Sequence, residues 1–219
     1  MKNELPKAFQ ALVKKHNLDP LKAFDDLLTY ILRFLSVDEQ DVAWEHGPEV
    51  NKSFNDVFQV YLQDLYSVLE TRPWYDAWGD LFMELSGNYK SFRGQFFTPP
   101  GASDVLARII GGHRHLEDYF MQPVINDCAC GSARMLLAAN AEAARRQMQQ
   151  PYLIGEDIDN LCCKMAAVNF CVHGCVGEVI RHDTLRYPDE LTYGYLVNVS
   201  SVPSIRTSKD KSDFRKFTI

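Results

Sequence analysis

Pro123-Val124-Ile125-Asn126-Asp127-Cys128-Ala129-Cys130-Gly131-Ser132-Ala133-Arg134-Met135-Leu136-Leu137 is the stretch whose reading decides the fold of this 219-residue chain. A short apolar run (Val124, Ile125) stops at an acid, Asp127. Small residues from Ala129 to Ala133 make a turn, and the apolar spacing then becomes helical (Met135, Leu136, Ala139). Strand, tight turn and helix N-terminus, in that order, open a nucleotide-binding α/β unit. Gly131 and Ser132 let a ligand approach the backbone, and the helix start offers N–H groups with no partner inside the helix.

The turn lacks the three glycines of G-x-G-x-x-G, and no G-x-x-x-x-G-K-[ST] loop occurs anywhere, which argues against a dinucleotide or a triphosphate. An acid at the strand end suits a cationic ligand instead. S-adenosylmethionine, with an ammonium and a sulfonium, is one such ligand. The alternative is an ordinary βα turn with a solvated Asp127.

Downstream, strands and helices alternate. Tyr152-Leu153-Ile154 reads as a second strand running into Gly155-Glu156-Asp157-Ile158-Asp159, and a helix follows from Asn160 to His173, stopped by Gly174. Val179-Ile180 is a third strand ending at His182-Asp183, and Tyr195-Leu196-Val197 a fourth ending at Asn198. Such alternation implies a parallel sheet with right-handed crossovers, whose ligands bind at the carboxyl ends of the strands. Asp127, Asp157, Asp183 and Asn198 would then share one end. Asp157 follows Gly131 at the distance expected of an acid that holds ribose hydroxyls. Asp183 could accept a hydrogen bond from an adenine amino group. Singly each is a plausible solvated turn residue; together they favour a nucleoside pocket.

Upstream, residues 1–90 read as a helical domain without visible chemistry. Ala8, Phe9, Leu12 and Val13 form one stripe; Asp19-Pro20 caps another (Leu21, Phe24, Leu27, Leu28, Ile31, Leu32, Leu35). An acidic loop is expected from Ser36 to Asn51, then a helix from near Ser53, then a restart at Thr71-Arg72-Pro73. Phe92 to Pro100 is a rigid non-helical loop, either a connector or the wall of a pocket with Phe96 or Phe97 against the ligand. Ala102 to Gly111 reads as a helix with Val105, Leu106, Ile109 and Ile110 inward.

A net charge of −6 argues against a protein that coats nucleic acid by charge alone, though not against a local basic groove. There is no signal-like start and no apolar run of membrane-spanning length, so a cytoplasmic protein without a membrane partner is expected. The six cysteines read as reduced, buried thiols; Cys171 and Cys175 near His173 and His182 make a weaker zinc pattern.

Five stretches in this order resemble the N6-adenine DNA methyltransferases, specifically the modification subunits of type I restriction–modification systems. They are Gly94-Gln95-Phe96-Phe97-Thr98-Pro99, Asp127-Cys128-Ala129-Cys130-Gly131-Ser132, Gly155-Glu156-Asp157-Ile158-Asp159, Val168-Asn169-Phe170 with His173-Gly174, and His182-Asp183-Thr184-Leu185. The resemblance implies a Rossmann-like S-adenosylmethionine-dependent methyltransferase fold, α/β with an incomplete parallel sheet, over residues 91–219, behind the all-helical 1–90. It implies S-adenosylmethionine as cofactor, with Phe97, Thr98, Asp127 and Gly131 at the methionine end, Asp157 on the ribose and Asp183 on the adenine. DNA and a specificity or other restriction–modification subunit are the implied partners.

Three departures from the family pattern stand out. Cys128 replaces a proline. Ala133 replaces a glycine and is followed by Arg134, so a Cβ would crowd the cofactor and a positive charge would approach the sulfonium. The family's Asn-Pro-Pro-aromatic motif, in which the Asn and a backbone carbonyl accept the adenine N–H groups and the aromatic stacks on the flipped-out base, reads Asn198-Val199-Ser200-Ser201. Asn198 is the remaining catalytic candidate, and the alternative is an inactive homologue that acts as a binding or interaction module. The basic tail, residues 202–219, is expected to be a solvated or frayed terminus of a truncated chain. The last strand is expected to expose an apolar edge through which the chain self-associates.

Overall fold

The fold is that of a computed structural model, which describes residues 4–38, 45–88, 97–112 and 122–217. Phe96 and the Gly94-Gln95 pair lie outside the described residues.

Among the described residues five helices come first: α1 (Leu5–His16), α2 (Pro20–Leu35), α3 (Pro48–Val68), α4 (Ala77–Asn88) and α5 (Pro100–Gly112). Leu5, Phe9 and Leu12 bury one face of α1 at helical spacing. Its first N–H groups have no partner within the helix, and the Asp64 carboxylate of α3 accepts those of Glu4 and Leu5 at 2.8 and 2.9 Å. Asp19 caps α2 by accepting from the Leu21 and Lys22 N–H groups, with Pro20 at the first helical position. Gly47-Pro48 starts α3 five residues before the expected Ser53, because Pro suits a first turn that needs no N–H. The aromatic stripes converge in the core, where Tyr61 stacks on Trp78 at 4.2 Å and Phe24 lies against Phe9, Trp78 and Phe82.

Helix α5 corrects the sequence reading. Val105 and Ile109 are 56% and 51% exposed and Leu106 is exposed as well, while Ser103 and Ala107 are buried. Small residues let α5 lie close against the following helix, α6 (Arg134–Arg145), which turns the larger side chains outward.

The sheet has five strands in the order β1 (Val124–Asp127), β2 (Tyr152–Asp157), β3 (Val176–Arg181), β4 (Tyr193–Val197), β5 (Ile205–Ser208). The first three are parallel and joined through α6 and α7 (Asn160–Val172), the latter capped by Asp159. β4 runs antiparallel to β3, with Gly177 opposite Val197, and β5 antiparallel to β4. The sheet is therefore mixed, and the fourth strand points opposite to the expectation.

One sheet face carries α6, α7 and the N-terminal helices in a continuous core. Lys164 of α7 reaches Asp25 and Thr29 of α2 at 2.5 and 2.8 Å, so the helical region is bolted to the sheet layer. Residue 37 also donates its N–H to the Ile205 carbonyl.

The other face is covered by the tail. Two single-turn 3₁₀ helices, Lys211–Asp213 and Arg215–Phe217, flank a fully buried Phe214 that packs with Tyr152, Ile154, Ile180 and Leu196. Two buried glutamates hold the tail there. Glu178 accepts the Arg215 and Lys216 N–H groups and the Tyr152 hydroxyl, and Glu156 accepts from Lys216 Nζ, Asn126 Nδ2 and His182. Burial raises the Glu178 carboxyl. Burial would raise Glu156 too, but the bonds from Asn126, Lys216 and His182 outweigh it and hold that carboxyl below its ordinary range. The expected frayed terminus is thus a packed element through residue 217. Nor does the last strand offer an apolar edge, since Ile205 is fully buried and the rest of β5 is Arg206, Thr207 and Ser208. No helix among the described residues is long and apolar enough to cross a membrane.

Candidate functional site

The carboxyl ends of β1, β2 and β3 lie side by side, and with them Asp127, Asp157 and Asp183. The β1–α6 turn is folded by two left-handed residues, Gly131 (φ 55°) and Ala133 (φ 69°). At Gly131 the conformation and the space both require glycine, because a Cβ would lie 2.8 Å from the Phe97 ring. Phe97 in turn stacks on Phe82 of α4 at 5.3 Å. Thr98 turns its hydroxyl toward the Met135 sulfur of α6 at 3.7 Å and its carbonyl toward Arg134 at 3.3 Å. Phe97, Thr98, Asp127, Gly131 and Asp157 thus surround one turn.

Asp157 is tied to that turn directly. One carboxylate oxygen accepts the Gly131 N–H at 2.9 Å and the other the Asp159 N–H at 2.9 Å. Burial nevertheless raises its carboxyl above the ordinary range. Asp127 is raised for the same reason, burial, with the Ala129 N–H pulling the other way and Glu156 adding repulsion. Two desolvated carboxylates facing one turn are poised for a cationic or hydroxyl-bearing ligand that would satisfy them. Asp183 is half-buried at the end of β3 and folds its own loop by accepting from the Leu185 and Arg186 N–H groups. Leu185 beside it is almost fully exposed, at 94%.

Asn198 is not in this group. Because β4 is antiparallel, its carboxyl end lies with the amino ends of β1–β3, across the sheet from the acids. The side chain is buried, and Nδ2 donates to the carbonyls of Phe170, Cys171 and Cys175 while Oδ1 accepts the Ser204 N–H. It clamps the last turn of α7 and the loop that follows it. In this structure the catalytic candidate of the sequence acts as a structural clamp, apart from the acids.

Arg134 is corrected too. Its guanidinium is buried and turned toward the helical region, bonded to Asp76 at 3.0 Å and Asp80 at 2.6 Å. Its charge is balanced there rather than presented to a ligand. Asp76 and Asp80 were missed in the sequence, where residues 1–90 showed no chemistry; their partners lie more than fifty residues away.

A separate cavity of about 330 Å³ lies between α5, α6 and the Thr71–Trp74 loop, lined by Arg72, Asp104 and Glu142 among others. It contains none of the predicted site residues. Among the described residues no three His, Cys, Asp or Glu side chains gather as metal ligands. All six cysteines are free; Cys128 is exposed and the other five are buried. Burial pushes those five thiols up, to about 12 for Cys171 and Cys175, further for Cys162 and Cys163, and well above the ordinary range for Cys130.

Three parallel strands, their crossover helices and a left-handed glycine turn between acids make an α/β unit of the class whose ligands bind at the carboxyl ends of the strands. Comparison with known families narrows this, since the sequence pattern of the N-6 DNA methylases matches residues 75–205. The chain belongs to the N-6 DNA methylase family. No curated protein matches the sequence. Among solved structures, one similar chain is the methyltransferase subunit of a type I restriction-modification system from Streptococcus thermophilus. The identity is 20% and the TM-score 0.39, over 81% of this chain and 39% of that one. Another is a proposed class I S-adenosylmethionine-dependent methyltransferase from Listeria monocytogenes, with 15% identity and a TM-score of 0.39 over 75% of this chain and 54% of that one. The chain thus spans well under two thirds of the length of either.

Proposed function

We propose that the chain binds S-adenosylmethionine at the carboxyl ends of β1–β3 and serves the methylation of adenine N6 in DNA. One observation carries the reading: Asp127, Asp157 and Asp183 stand at the ends of three adjacent parallel strands, the first two beside the Gly131 turn. The residues present fit the cofactor. The Gly131 turn, packed against the Phe97 ring and closed to any Cβ, leaves its backbone open to close approach, and both Asp157 oxygens keep a lone pair beyond their backbone donors.

In this reading Asp157 accepts the ribose hydroxyls and Asp183 the adenine amino group. Phe97, Thr98, Asp127 and Gly131 line the methionine end, where Asp127 balances the positive charge. Bound there, the cofactor supplies an electrophilic methyl group. The chain's own residues hold and orient it, and the Phe97 ring keeps water from one side of the turn.

A second reading has its own support. The Asn198 amide is consumed by the Phe170, Cys171 and Cys175 carbonyls, so the grip on the adenine amino group would come from elsewhere. A partner chain of the restriction–modification kind would provide it together with target recognition, in the cytoplasm where the DNA is.

Calorimetric titration with S-adenosylmethionine tests the binding. Micromolar affinity abolished by Asp127→Ala and by Asp157→Ala is the expected result; no heat at millimolar cofactor refutes it. Transfer of labelled methyl to DNA by the isolated chain would refute the second reading.

A further inference from the structure

The Asp76 carboxylate is fully buried just before α4 and accepts four hydrogen bonds. Oδ2 accepts from Ser132 Oγ at 2.5 Å and Arg134 Nε at 3.0 Å; Oδ1 accepts from Gly79 N at 2.8 Å and Asn169 Nδ2 at 2.9 Å. Asn169 also donates to the Ser132 carbonyl at 2.8 Å. Ser132 stands between the two left-handed residues, Gly131 and Ala133. An alanine in that conformation is strained and persists only where its surroundings over-determine it.

The first turn of α4 is shaped to receive this carboxylate. A Cβ on Gly79 would lie 2.1 Å from Asp76 Oδ2 and 2.6 Å from Ser132 Oγ. The helical region therefore reaches through Asp76 to the one residue that is flanked by both left-handed positions. On the opposite side, Asp157 holds the Gly131 N–H. The turn is pinned from two directions, by an acid that faces the site and by one that cannot.

We propose that Asp76 is a positioning residue for the cofactor turn: acting through Ser132 and Arg134, it holds Gly131 and Ala133 in the ligand-ready conformation and couples the helical region to the site. This rests on the cofactor reading above. Asp76 touches no ligand itself.

The test combines calorimetry with S-adenosylmethionine and amide hydrogen exchange on the full chain, for the parent, Asp76→Asn and Ser132→Ala. Hydrogen bonds to a buried charge are worth enough to predict roughly tenfold weaker binding for Asp76→Asn and a smaller loss for Ser132→Ala. Exchange over residues 128–136 should rise in the free protein while that of β2 and β3 stays unchanged. Ser132→Ala removes a single hydroxyl and decides the matter should Asp76→Asn not fold. A merely structural role would lower melting temperature but leave the affinity of the folded protein and the exchange of the turn as in the parent. That result overturns the inference alone. A parent that binds no cofactor overturns the cofactor reading and this inference with it.

Discussion

Phe214 and Gly194 offer a quantitative test of the packed tail. Phe214 is fully buried against Tyr152, Ile154, Ile180 and Leu196, and truncating such a ring to alanine costs about 3–5 kcal/mol. For a chain of this size that is a fall in melting temperature of roughly 6–20 °C. A tail that is solvated would give almost none. The ring is seated on Gly194 of β4, where a Cβ would come within 2.6 Å of its Cε1 and Cζ atoms and 3.0 Å of the Val179 carbonyl. Gly194→Ala should therefore cost about 1–3 kcal/mol by overpacking. Removing the ring makes room for that methyl, so the double variant should be more stable than the sum of the singles predicts, by about 1–2 kcal/mol. The Val179 carbonyl, which does not move away, keeps the Gly194 cost from vanishing. Urea unfolding of the four proteins, followed by circular dichroism, measures the cycle. Additivity within about 0.5 kcal/mol, or a Phe214→Ala cost below about 1 kcal/mol, would refute the seating of the ring.

Three further outcomes are expected. Burial holds the Asp127 carboxyl up, so the folded protein keeps a proton that the unfolded chain releases near pH 3.9, and stability falls as pH rises through that window. Asp127→Asn, which retains the acceptor for Ala129, should raise the urea midpoint at pH 7 but not below about pH 3.5, while weakening cofactor binding; an unchanged midpoint at pH 7 would contradict the desolvation. Glu142 behaves oppositely: the Arg145 hydrogen bond, against burial and with help from Arg146, lowers its carboxyl from 4.5 to about 2. The stability it contributes above pH 4.5 is lost as pH falls toward 2, and Glu142→Gln should flatten that part of an acid titration of the melting temperature. Asn198→Ala removes the donors to three carbonyls and leaves alanine at φ 56°. A loss of about 2–4 kcal/mol is expected, and unaltered thermal stability would disprove the clamp.

What could be read ahead of the structure was what local pattern encodes. Asp127, Asp157 and Asp183 each end a short apolar run, and strands with intervening helices fix which end of the sheet they occupy. The orientation of β4 was not encoded that way, because Tyr195-Leu196-Val197 reads identically in either direction. The hint lay in its connection. Residues 182–192 contain Pro188 and the acids Asp183, Asp189 and Glu190, with no helical stripe, and a parallel crossover ordinarily needs a helix. Phe214 sits among lysines and arginines, and its burial depends on the missing side chain of Gly194 two strand-lengths earlier. Asp76 was silent for a like reason: beyond the nearby Gly79 N–H, its partners are Ser132, Arg134 and Asn169, brought together only by the tertiary fold.

The distribution of thiols has a practical side. Five of the six cysteines are buried with their sulfhydryls held protonated well beyond neutral pH, whereas Cys128 is exposed directly after Asp127. Because the thiolate is the reactive form, a maleimide dye should attach at one place in the unaltered protein, at the mouth of the turn. The chain thus carries its own attachment point for a reporter: occupancy of the site could be followed as quenching of the dye, or as shielding of Cys128 from alkylation, with no cysteine added or removed.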